Sequence, residues 1–140
     1  MAHEEVNTLL NALLPFAQQM LGKYGEFLPF AAAIDNSGEV QMVGTHDGDE
    51  HPSAQQLIDQ FTEVFRTQAK TKSIRAAGIC YDGRVVPPNQ TEKSDAICCI
   101  LEHGSGETIQ LYLPYQNNVN KQIQYGEIFA AALEPRFFIG

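Results

Sequence analysis

Cationic side chains are scarce in this sequence, and their scarcity limits the partners that the protein can have. Lys and Arg number 9 and Asp and Glu number 17, which gives the 140-residue chain a formal net charge of -8. A surface with this charge repels phosphate groups, so we expect neither nucleic acids nor anionic membranes as partners. A small basic group between Arg66 and Arg75 lies where the second predicted helix ends, and a helix dipole favours cations there.

Long apolar runs are absent too. No stretch approaches the roughly 18 consecutive apolar residues that suggest a membrane span. The residues from Met1 to Val6 are acidic, whereas a secretory signal begins with basic residues. We therefore expect a cytoplasmic protein, and the length of 140 residues fits a single domain, residues 1–140, with one core.

Cysteine is rare and odd in number. Cys80, Cys98 and Cys99 lack the CxxC spacing of zinc and redox sites. Cys98 and Cys99 are neighbours in a predicted strand, so their side chains point to opposite faces and cannot form an ordinary disulfide with each other. We expect all three to be buried packing residues in a reducing compartment.

The sequence motifs of common catalysts are also missing. The chain has no GxSxG, no GxxxxGK, no GxGxxG and no zinc-finger spacing. Glu102 and His103 could act together as an oriented general base. Adjacent strand residues point to opposite faces, however, so we expect these two side chains not to meet.

The strongest pattern that the sequence does contain is an apolar hairpin between Asp95 and Pro114, which we call the central hairpin. Its first strand, 96–101, is apolar at every position, and its second strand, 108–113, alternates. A strand that is apolar on both faces has to be covered on both faces. The sequence therefore predicts a sheet with helices, or a second subunit, on each side.

The turn of the central hairpin determines which side chains share a face. We place Glu102 opposite Glu107, or opposite Ile109 if the pairing slips by two residues. In both registers the same side chains lie on the same face of the sheet. One face is then predicted to carry Ala96, Cys98, Ile100, Ile109, Leu111 and Leu113. The other face is predicted to carry Ile97, Cys99 and Leu101 beside Tyr112.

The other elements are predicted from periodicity and turn residues. A wide apolar stripe predicts a helix over Glu4 to Tyr24, which Pro15 kinks or splits. A hairpin follows, with strands Phe27 to Ile34 and Glu39 to Val43. Next come a second helix that ends near Thr71 and a strand from Ser73 to Tyr81 or Val86. After the central hairpin, the apolar segment Glu127 to Leu133 is predicted to be a strand or a short helix.

The predicted order is α-β-β-α-β-β-β with an uncertain C-terminal strand or short helix, which describes an α+β domain with a single antiparallel sheet and helices packed on it. In its order of elements the chain resembles the roadblock and profilin-like topologies, in which one antiparallel sheet is covered by helices on both faces. This resemblance concerns the fold alone.

The loop before the second helix is the best candidate for a metal site. It concentrates ligand types that zinc and other divalent ions use, at His46, Asp47, Asp49, Glu50 and His51. We select His46, Asp49 and His51 as the candidate metal ligands. The spacing matches neither HExxH nor an EF-hand, and a solvated acidic turn before a helix explains the same residues. The sequence predicts no cofactor.

A second polar cluster, Asp82, Arg84 and Asp95, flanks the Pro87-Pro88 loop. If Asp82 faces Asp95, the paired carboxylates could share a proton or bind a cation. If the pairing shifts by two residues, Arg84 faces Asp95 in an ordinary ion pair, and we favour this register because it avoids repulsion between like charges.

The C-terminal residues Phe137, Phe138 and Ile139 are more apolar than a free tail, so we expect them to dock in a groove of the core or on a neighbouring chain. These residues, the central hairpin and the first helix together present more apolar surface than we expect one small sheet and two helices to bury. The predicted function is a non-enzymatic interaction or binding domain that acts as a homodimer and has a protein partner. The alternative is a small-molecule or metal-dependent enzyme that uses the loop from His46 to His51.

Overall fold

The computed structural model describes residues 4–43, 53–117 and 122–139. These residues form two helices, seven strands and one antiparallel sheet: α1 (Glu4–Tyr24), β1 (Phe30–Asp35), β2 (Val40–Val43), α2 (Ala54–Lys70), β3 (Ile74–Val85), β4 (Ser94–His103), β5 (Thr108–Asn117), β6 (Ile123–Tyr125) and β7 (Phe129–Ala132). The strand order is β2-β1-β3-β4-β5-β6, and β7 also pairs with β5. The predicted α+β class is confirmed, and the predicted order of elements matches apart from the additional strand β6.

Helix α1 has the predicted bounds and runs unbroken through Pro15, so the split that was one of our two alternatives does not occur. Acidic residues in its first turn and Lys23 in its last turn match the helix dipole. Its buried stripe continues on both sides of the proline, at Val6, Leu9, Leu13, Ala17 and Leu21. Packing of this stripe on the sheet stabilises the helix by more than the single backbone hydrogen bond that Pro15 removes.

Helix α2 begins at a capping box. The Ser53 hydroxyl accepts from the Gln56 N–H at 3.1 Å, and the Gln56 side chain accepts from the Ser53 N–H at 2.8 Å. Leu57, Phe61 and Phe65 form the buried face of the helix. The helix ends with Thr71 as its C-cap, close to the predicted end.

The two helices lie on opposite faces of the sheet. The α1 stripe packs with Cys80, Ile97 and Leu101, whereas the α2 stripe packs with Ile79 and Ile100. Every residue from 96 to 101 is at most 1% exposed. The prediction that the central hairpin is covered on both faces is therefore confirmed.

The register of the central hairpin was predicted wrongly. Glu102 lies opposite Thr108, and not opposite Glu107 or Ile109. A change of one residue in the pairing moves one strand's side chains to the other face. The α1 face therefore carries Ile97, Cys99 and Leu101 together with the odd-numbered residues of β5: Ile109, Leu111 and Leu113.

The length of the loop explains the error. His103 N–H donates to the Glu107 carbonyl at 2.8 Å, and Gly106 N–H donates to the His103 carbonyl at 2.9 Å. These bonds close a loop of three residues, 104–106, whereas our registers assumed an even number. Gly106 has a φ of 109°, and glycine adopts such a positive φ at the end of a three-residue hairpin loop without the strain of a side chain.

The C-terminal part of the chain completes the sheet. The segment that we predicted as a strand or a short helix contains strand β7, and β6 lies in a region that we had taken for a polar connection. Both strands pair antiparallel with β5, β6 with residues 115–117 and β7 with residues 109–112. Together they form the outer neighbour of β5.

The helices leave part of the sheet without a helical cover. The packing of α1 is concentrated on β1, β3 and β4, and that of α2 on β1 and β3. Strands β5, β6 and β7 make few contacts with either helix, although Leu113 and Tyr115 are buried in the α1 core and Ile109, Leu111 and Ile123 pack against it. We call these three strands the outer wing. Among the residues that the structure describes, no helix is long and apolar enough to cross a membrane.

Candidate functional site

The candidate metal ligands His46, Asp49 and His51 lie outside the described residues, so the metal site stays a prediction. Within residues 4–43, 53–117 and 122–139, no group of three or more His, Cys, Asp or Glu side chains is placed to hold a metal ion.

The cluster of Asp82, Arg84 and Asp95 has the register that we favoured. Arg84 lies opposite Asp95, and its Nε is 3.3 Å from the Asp95 carboxylate. The side chains are 73% and 46% exposed, so this ion pair contributes little to stability. Asp82 lies opposite Ile97 and not opposite Asp95, so the two carboxylates do not face each other.

Asp82 instead binds Tyr115. The hydroxyl of Tyr115 donates to Asp82 Oδ1 at 2.6 Å, and Tyr115 is only 4% exposed. Burial raises the pKa of Asp82, although the Tyr115 hydrogen bond opposes the shift. Burial and the neighbouring carboxylate both raise the pKa of Tyr115, so this hydroxyl keeps its proton. The pair is a hydrogen-bond donor and acceptor held in place, and no sequence pattern predicted it.

Tyr115 also lines a cleft of about 230 Å³ at this end of the sheet. Its other polar lining comes from uncharged side chains, including Gln90, Ser94, Gln124 and Tyr125. The lining groups can donate and accept hydrogen bonds, but they supply no charge. Chemically, the cleft suits a neutral polar ligand.

His103 does not meet Glu102, as expected, because the two side chains lie on opposite faces. His103 Nε2 is 2.8 Å from Glu5 Oε1 on α1, and Arg75 is 3.4 Å from the same carboxylate. The hydrogen bond from His103 is the main reason that the pKa of Glu5 is lowered. These contacts join the start of α1 to the turn of the central hairpin.

Ser105 extends this contact into an arrangement like that of a catalytic triad, with its hydroxyl 3.0 Å from His103 Nδ1. A serine nucleophile needs free backbone N–H groups nearby to bind the oxyanion. The N–H groups of Gly104, Ser105 and Gly106 already donate to Arg75, to the His103 ring and to the His103 carbonyl. The geometry therefore holds the turn in place and does not favour catalysis.

Glu102 is a fully buried carboxylate that holds the C-terminal segment. Its two oxygens accept the N–H groups of Arg136, Phe137 and Phe138 at 2.6, 2.9 and 2.6 Å. A carboxylate that accepts several backbone N–H groups is well stabilised even without a cationic partner. Sequence reasoning considered Glu102 only as a possible partner of His103 at the hairpin turn, and did not predict its contact with the C-terminal segment.

The three C-terminal interface candidates differ in how deeply they are buried. Phe137 is 1% exposed and its ring lies 5.2 Å from that of Phe65, so it docks in a groove of its own chain. Phe138 is partly buried against the same core. Ile139 is exposed. Of the two places that we expected for this segment, Phe137 occupies the first and is not available to a neighbouring chain.

The cysteines are buried and free, as expected. The sequence did not show that Cys80 and Cys99 lie directly opposite each other, with their sulfur atoms 3.6 Å apart. Burial raises the pKa of Cys80 and raises that of Cys98 to about 12, so both are protonated thiols. This chemistry fits packing and not nucleophilic catalysis.

The outer wing is the described surface best suited to a protein partner. On the α1 face it presents Ile109 and Leu111, which are partly exposed, next to the exposed residues Ala130 and Ala132. On the other face Tyr112 stacks on Phe129, with the ring centres 5.0 Å apart, beside exposed Ala131. The wing is thus largely apolar, with the amide of Gln110 opposite Ala131 on the second face, and all of these side chains are uncharged.

Comparison of the chain with models of protein families, with curated proteins and with solved structures found no match.

Proposed function

We propose that the protein is a non-enzymatic interaction domain that acts as a homodimer, and that two copies associate through the outer wing. The observation that carries this proposal is that β7 and the adjoining residues of β5 lie at the margin of the helical cover, with apolar side chains that are exposed or partly exposed. Exposed apolar surface of this kind is typical of a protein interface. The three buried, free thiols support a reducing compartment, and we propose the cytoplasm.

Strand β7 is the part of the wing that suits a second copy of the chain. An edge strand offers unpaired backbone N–H and C=O groups, and proteins usually protect such an edge with Lys, Pro or other charged residues. Phe129–Ala132 contains none of these, and its three alanines are exposed. Antiparallel pairing of β7 with the same strand of a second copy has two-fold symmetry, which is the commonest arrangement in homodimers.

The test is the replacement Ala131→Lys, studied by sedimentation velocity at micromolar concentration. A lysine here places a positive charge at the proposed junction, beside the same charge of the second copy, so the variant is expected to be a monomer. Thr67→Lys adds the same charge on the exposed side of α2 and should leave the dimer intact. A monomeric parent protein, or a dimer that Ala131→Lys does not weaken, would contradict the proposal.

A further inference from the structure

A second apolar surface lies at the opposite edge of the sheet, around Phe30. The ring of Phe30 packs in the α1 core and contacts the rings of Phe16 and Phe27, with centres 4.8 and 5.8 Å away. Phe16 is 41% exposed and Met42, which pairs with Ala32 of the α1 core, is 51% exposed. These side chains lie on the α1 face beside β2, and we call Phe16, Phe30 and Met42 the edge cluster.

Strand β2 lies at the edge of the sheet, and in the described part of the chain its sole neighbour is β1. The hydrogen bonding of its hairpin shows which backbone groups of β2 point away from β1. Asp35 N–H donates to the Glu39 carbonyl at 3.0 Å, so this pair is hydrogen-bonded. Bonded and non-bonded pairs alternate along an antiparallel ladder. Val40 and Met42 are therefore the non-bonded positions, and their N–H and C=O groups point away from β1.

Met42 contributes both outward-facing backbone groups and a side chain of the edge cluster. A strand added antiparallel to β2 would exchange both hydrogen bonds with Val40 and with Met42. The residues of the added strand that lie opposite these two place their side chains on the same face as Met42. Every second side chain of an added strand would thus contact the edge cluster, and the intervening ones would lie on the other face.

We propose that the β2 edge binds an extended peptide segment of a partner protein as an additional antiparallel strand. The segment has an apolar side chain at every second position and a net positive charge. Backbone hydrogen bonds supply affinity in this mode of recognition, and contacts to alternate side chains supply specificity. We infer the positive charge of the peptide from charge complementarity. The chain carries a net charge of -8, and the exposed carboxylate of Glu39 precedes the strand.

The probe is a capped, fluorescently labelled hexapeptide of sequence Lys-Val-Lys-Leu-Lys-Val, with binding followed by fluorescence anisotropy. Saturable binding is expected, together with slower hydrogen exchange of the Val40 and Met42 amides. A peptide N-methylated at its Val and Leu residues loses the donors that face β2. This control peptide is expected to bind at least ten-fold more weakly.

Two matched variants test the site within the protein. Met42→Lys removes an apolar contact and adds a charge, whereas Gln41→Lys adds the same charge to the opposite face of the same strand. We expect binding to weaken about ten-fold more with Met42→Lys than with Gln41→Lys. Phe16→Ser, on α1, should weaken binding without altering β2 and covers the case in which Met42→Lys fails to fold.

The outcome is independent of the proposed dimer. Ala131→Lys lies at the other edge of the sheet and should leave peptide binding unchanged, whether or not it separates the two copies. Absence of saturable binding would overturn the inference, as would equal binding of the N-methylated peptide or equal effects of Met42→Lys and Gln41→Lys.

Discussion

The buried carboxyl group of Glu102 accepts hydrogen bonds from the backbone N–H groups of residues 136–138. The same segment is held by a bond of 2.7 Å from Arg66 Nε to the Arg136 carbonyl and by the burial of Phe137. An acidic residue in a central strand thus helps to hold the C-terminal segment against the α2 side of the sheet. An apolar side chain of similar size would fill the space but leave one buried and two partly buried N–H groups without this acceptor.

Glu102→Ala is expected to destabilise the fold by about 3 kcal/mol, because it leaves these N–H groups without their acceptor. Glu102→Gln keeps one acceptor oxygen and should cost less. The free energy of unfolding from urea titration measures both effects. Glu134→Ala removes an exposed carboxylate near the same segment and is expected to change stability by less than about 0.5 kcal/mol. A Glu102→Ala protein as stable as Glu134→Ala would show that the bonds to the C-terminal segment contribute nothing.

At the scale of elements, the position of α1 depends on a glycine in β3. A Cβ atom at Gly78 would lie 2.9 Å from side-chain atoms of both Leu13 and Leu101, and 3.2 Å from the Ile100 carbonyl oxygen. Glycine therefore allows α1 to approach the sheet closely at its centre. Gly22, within α1 itself, has no such neighbour within 4 Å.

Alanine substitutions at these two glycines are expected to change the free energy of unfolding in opposite directions. Gly78→Ala should destabilise the protein by about 1–3 kcal/mol through overpacking. Gly22→Ala should stabilise it by about 0.5–1 kcal/mol, because alanine favours the helix and restricts the unfolded chain. Thermal unfolding followed by circular dichroism measures both. If Gly78→Ala raised the melting temperature, the close approach of α1 to β3 would be disproved.

At the scale of the whole molecule, charge and apolar surface act in opposite directions. A net charge of -8 opposes the association of two copies, whereas the outer wing and the edge cluster favour contact. The two proposed surfaces lie at opposite edges of one sheet. A dimer formed through β7 would therefore leave both β2 edges free for partner peptides.

The two contacts should respond to salt in opposite ways. Screening at a Debye length of about 8 Å or less weakens the repulsion between two anionic copies, so the Kd of the dimer should fall as salt is added. The same screening weakens attraction to the basic peptide, so its Kd should rise. Sedimentation and anisotropy series in sodium chloride measure the two trends. Parallel trends would show that charge does not govern the two contacts as described.

Much of the architecture follows from the sequence because it depends on local patterns. The 3.6-residue periodicity of α1 gave its bounds, and the unbroken apolar run 96–101 required cover on both faces. The register of the central hairpin could not be predicted in this way. One residue more or fewer in the loop moves all side chains of a strand to the opposite face of the sheet. The candidate metal loop, with His46 and His51, lies outside the described residues and is still a prediction.

The sequence by itself determined the class of fold, the two helices and the burial of the cysteines, since each depends on residues that are close together in the chain. The tertiary structure alone decided which polar groups meet. Glu5 reaches His103 and Glu102 reaches the backbone of residues 136–138, across 98 and at least 34 positions. It also decided that, among the described residues, the helices pack mainly on the middle strands of the sheet, because strand order and the placement of helices depend on packing between segments far apart in sequence.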